Sequence, residues 1–60
     1  MHNLPNDAFI LLSLINTLLR DNYPSLFELC RDRGYNRTEI EQKLAGIGYA
    51  YNEKINQFKS

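Results

Sequence analysis

Asp7-Ala-Phe-Ile-Leu-Leu-Ser-Leu-Ile-Asn-Thr-Leu-Leu-Arg-Asp21 is the longest apolar stretch in the chain, and its periodicity decides the fold. Ala8, Leu11, Leu12, Ile15, Leu18 and Leu19 fall on one side of a helix turning about 100° per residue, which is the pattern of a buried helical face. Ser13, Asn16, Thr17 and Arg20 occupy the opposite side and suit water. Ile10 and Leu14 widen the apolar arc to roughly 200°, and Phe9 sits among the polar residues. A short chain has little else with which to cover that flank. The first helix therefore reads as the core of the fold and also as a contact surface.

Outward from this helix, Leu4 precedes Asn6 and Asp7, one or the other of which supplies a side-chain oxygen to accept from the free amides at the helix start. Pro24 pushes Tyr23 out of the helical region and ends the segment near Asp21 or Asn22. Ser25 and Glu28 have capping-box spacing and open a second helix, in which Leu26, Leu29 and Cys30 share a face. Phe27 lies off that face and needs a cover. Gly34 stands where a left-handed terminating residue is wanted. Asn36 and Glu39 repeat the capping logic for a third helix carrying Ile40, Leu44 and Ile47, stopped by Gly46 and Gly48. Tyr49 and Tyr51, a polar turn at Asn52 to Lys54, then Ile55 and Phe58 predict a hairpin packed back on the helices.

The expected architecture is a single, mainly α domain over residues 1–60. It is a helix-turn-helix-like three-helix bundle with helices over about 7–21, 26–33 and 37–45 and a C-terminal β-hairpin over about 49–58.

A chain of 60 residues buries only about 60% of the surface its unfolded form exposes, so domains of this size lean on disulfides, a metal or association. One cysteine, Cys30, forms no intramolecular disulfide, and one histidine, His2, sits near a terminus without a second ligand beside it. Association is the remaining route, and a homodimer through Phe9, Ile10, Leu14 and Phe27 is expected. Seven basic residues balance seven acidic ones. That balance gives no field to hold nucleic acid or an anionic bilayer and disfavours both as partners. The apolar run is too short to span a membrane, and no basic n-region marks it as a signal peptide, so a cytoplasmic setting is expected.

No phosphate loop, nucleophile beside a base, or carboxylate pair in an apolar setting stands out, so no catalytic residue, cofactor or metal is expected and the protein reads as a non-enzyme. Cys30 reads as a small buried hydrophobe. Arg31, Arg33 and Arg37 cluster near the turn, with Asp32 and Glu39 beside them as ion-pair partners. The four tyrosines read as rings buried with their hydroxyls wet rather than as a base-stacking platform.

The leading functional expectation is a protein-interaction or regulatory module acting as a homodimer. The alternative is a winged-helix-like DNA-binding protein, with Arg37, Thr38, Gln42 and Lys43 facing the groove and Lys54 or Lys59 on phosphate. Glu39 and Glu41 beside those cations weigh against it.

The segments Leu-Pro-Asn-Asp at 4–7, Leu-Leu-Arg-Asp at 18–21, Ser-Leu-Phe-Glu-Leu-Cys at 25–30 and Leu-Ala-Gly-Ile-Gly-Tyr-Ala-Tyr-Asn-Glu-Lys-Ile-Asn-Gln-Phe at 44–58 cover almost the whole chain. In them the chain resembles a family of very short bacterial proteins known only as a domain of unknown function. The tail is the most telling part, with its glycine, alternate tyrosines and closing Asn-x-Phe at Asn56 and Phe58. The resemblance implies a small bacterial cytoplasmic protein without assigned activity, and it brings no catalytic or ligand residue.

Overall fold

A computed structural model describes residues 4–60. The element order is α1 (Ala8–Asp21), α2 (Leu26–Arg33), α3 (Arg37–Ala45), β1 (Ala50–Asn52) and β2 (Gln57–Lys59). Each helix begins on a side-chain cap. Asp7 accepts from the amides of Phe9 and Ile10 at 2.8 and 3.1 Å, Ser25 from that of Glu28 at 3.1 Å, and Asn36 from that of Glu39 at 3.1 Å. Only half of the capping box at Ser25 is formed, because the Glu28 carboxylate turns to the Arg31 guanidinium instead. Gly34 closes α2 at φ 73°, a left-handed conformation that costs an L side chain free energy.

The core collects Leu11, Ile15, Leu18 and Leu19 from α1, Leu26, Leu29 and Cys30 from α2, Ile40 and Leu44 from α3, and Phe58 from β2. Leu4, Leu12, Leu14 and Tyr49 pack against it half-buried. No polar or charged residue is buried among the described residues. The helices supply nearly all of the apolar content, and the hairpin closes one side with a single fully buried ring.

β1 and β2 pair antiparallel in the register Ala50 to Lys59, Tyr51 to Phe58 and Asn52 to Gln57. The turn lies later than the sequence predicts. Asn52 ends β1 and accepts from the Lys54 amide at 2.9 Å through its side chain, while Ile55 sits within the turn and is 53% exposed instead of standing on a strand. Asn56 closes the turn at φ 54°, a left-handed backbone that asparagine tolerates better than most residues.

Asn16 departs from its expected place. Its side chain does not face water but engages the tail: its Oδ1 accepts from the Phe58 amide at 2.7 Å and its Nδ2 donates to the Phe58 carbonyl at 3.1 Å. Strand residues alternate in where they aim their backbone groups. Phe58 aims its own at α1, and one side-chain amide satisfies both.

Candidate functional site

The apolar surface predicted from the sequence is found at two places. Phe9 and Ile10, on the first turn of α1, are 63% and 59% exposed, although they follow directly on a well-formed cap. Leu14, one turn further on, is half-buried against the core. Phe27 is 59% exposed on the first turn of α2, with the Arg31 guanidinium over its ring at 5.5 Å. That turn is bonded to the tail residues that also hold Leu19. Leu19 lies ten residues beyond Phe9, about 15 Å along the α1 axis. Phe9, Ile10 and Leu14 therefore share the amino-terminal half of α1, with Ile10 and Leu14 on one side and Phe9 about 100° around the helix from Ile10, and Phe27 belongs to another end of the molecule. Ile55, exposed in the hairpin turn, is an apolar residue that the sequence reading assigned to a strand.

The basic side chains near the α2–α3 turn are engaged by neighbours. Arg31 pairs with Glu28, and Arg37 pairs with Glu41 at 3.4 Å while its guanidinium lies 5.7 Å from the centre of the Tyr51 ring. Arg33 donates from Nε to the Tyr23 hydroxyl at 3.1 Å and lies over the same ring; that hydroxyl in turn donates to Asp32. The bond to Tyr23 raises the Arg33 pKa further above its ordinary value. On the outer face of α3, Thr38 and Gln42 are exposed and Lys43 is half-buried.

Burial of Cys30 on α2 pushes its thiol pKa up; Arg37 opposes that shift and Glu41 adds to it. An upward shift leaves less thiolate at neutral pH, which is the opposite of what a nucleophile requires. No group of three or more His, Cys, Asp or Glu side chains able to hold a metal occurs among the described residues, and His2 lies outside them. No helix among the described residues is long and apolar enough to cross a membrane.

Sequence reading missed a polar network in which tail and helices meet. The Leu26 amide donates to the Tyr51 hydroxyl at 3.2 Å, and that hydroxyl donates to Asn56 Oδ1 at 2.7 Å. Asn56 Nδ2 donates to the carbonyls of Leu19 and Tyr23 at 3.0 and 2.9 Å. Gln57 Nε2 reaches the Asn16 carbonyl at 3.0 Å. The signal for this network was the closing Asn-x-Phe of the tail, which looks like ordinary loop composition until its partners are known.

Neither a curated protein nor a solved structure matches the chain. The family model described as a domain of unknown function, DUF4250, matches residues 5–58, almost the full length. The chain belongs to that family.

Proposed function

We propose that this protein is a non-enzymatic protein-interaction module, and that it pairs as a homodimer through the amino-terminal turns of α1. The observation that carries the reading is the exposure of Phe9 and Ile10 at 63% and 59%, on the helix that also supplies four of the buried core residues. Exposed large apolar neighbours on a rigid element are a usual sign of a contact surface. Fully burying a side chain of this size contributes about 1.5 to 3 kcal/mol, and each of these two has about three fifths of its surface left to cover, so covering both on both copies gives roughly 4 to 7 kcal/mol in total. The association itself costs about 4 kcal/mol or more. The expected dimer is therefore weak, about millimolar or looser, and tighter only as the partly covered Leu14 and its neighbours join the interface.

The zero formal charge supports self-pairing, since two copies do not repel. The DNA-binding alternative draws no comparable support, because Arg37 on α3 is already shared between Glu41 and Tyr51. Light scattering at several millimolar tests the proposal: a mass rising with concentration toward twice the chain mass of 7.0 kDa is expected, and Ile10→Asp should hold it at a single chain. A wild-type protein that stays at one chain mass would overturn it.

A further inference from the structure

α1 ends at Asp21 and α2 begins at Leu26, so the chain leaves unpaired helix-end groups on both sides of a four-residue joint. Part of that demand is met locally. The Leu18 carbonyl accepts from the amides of Asn22 and Tyr23 at 2.8 and 3.0 Å, and Ser25 takes the Glu28 amide. Three further groups are met by the tail, more than two dozen residues further along the chain. Asn56 fills the Leu19 carbonyl at the end of α1 and the Tyr23 carbonyl within the joint, and Tyr51 fills the Leu26 amide at the start of α2. The two tail residues are bonded to each other at 2.7 Å, so the same pair touches both helices. The Tyr51 ring is fixed from behind by Phe58, with ring centres 5.5 Å apart, and Phe58 is fixed by Asn16.

We propose that Tyr51 and Asn56 make the carboxy-terminal hairpin a clasp that splices α1 to α2, so that release of the tail and opening of the α1–α2 joint are one event. The four-residue turn, with Asn56 in a left-handed conformation, is shaped to aim that amide at the joint. A hairpin with three residues in each strand is not stable alone in water, so the tail depends on the helices as much as their ends depend on it. Exposed Phe27 stands on the turn that the clasp holds, which couples the tail to the surface around it. The clasp does not rest on the dimer reading; it operates within one chain.

Amide hydrogen exchange of the full chain, resolved by residue, tests the coupling. Asn56→Gly retains the left-handed backbone and removes the amide; Tyr51→Phe retains the ring and removes the hydroxyl. Asn56→Gly is expected to speed exchange at Leu26, which Asn56 does not touch, and Tyr51→Phe to speed exchange at Asn22 and Tyr23, which Tyr51 does not touch. Each effect should be about tenfold, the size of one lost hydrogen bond, with the Ile40 and Leu44 amides of α3 holding their wild-type rates. Acceleration confined to each residue's own direct partner, or equal acceleration throughout α3, would overturn the clasp. Should Asn56→Gly fail to fold, the near-isosteric Tyr51→Phe carries the test alone.

Discussion

Asn16 shows how much one side chain can decide in a chain of this size. Its position on α1 is polar and lies opposite the apolar face, and nothing local distinguishes it from Thr17. Its partner is 42 residues away, and what it binds is backbone, so no pattern of residue types could reveal the bond. Replacing it leaves the Phe58 amide and carbonyl without partners in a part-buried setting, where each orphaned group costs about 1 to 3 kcal/mol. Asn16→Ala is therefore expected to lower unfolding free energy by about 2 kcal/mol in a urea titration, and Thr17→Ala to change it by less than about 0.5 kcal/mol. Cys30 carries a prediction of the opposite kind, an inert group. Because burial raises its pKa, the folded protein should react with iodoacetamide at neutral pH far more slowly than the urea-unfolded chain does. Equal rates would show that the thiol is open.

At the level of elements, the helices were legible because their signals are local. Asp7, Ser25 and Asn36 cap through amides two or three residues on, and Gly34 ends α2 through its own backbone angle. Gly34→Ala is expected to cost about 1 kcal/mol in the same urea titration, since alanine meets a steric penalty at φ 73°. The hairpin was legible in kind and not in detail. Its aromatic residues marked two strands, but the turn position depends on Asn56 reaching the α1–α2 joint, and that tertiary demand draws Ile55 off the strand and into solvent. The candidate contact residues were legible one at a time, as apolar side chains on the wrong flank of a helix. Their division between the two ends of α1 was not, because it depends on where α2 departs from α1.

For the molecule as a whole, the Cα radius of gyration is 10.3 Å and the core is built almost entirely from three short helices. With so little interior, small differences at the surface determine whether the chain is complete alone. Phe9 and Ile10 are the pair whose burial by a second copy would add most to stability, so melting temperature should rise with protein concentration. Ile10→Asp should abolish that dependence without lowering the melting point of the dilute protein. The most direct test is a residue-resolved NMR dilution series from millimolar to micromolar concentration. The account predicts concentration-dependent shifts grouped at Phe9, Ile10, Leu14 and the turns that carry them. Spectra that do not change with dilution, or shifts grouped away from the first turns of α1, would contradict it.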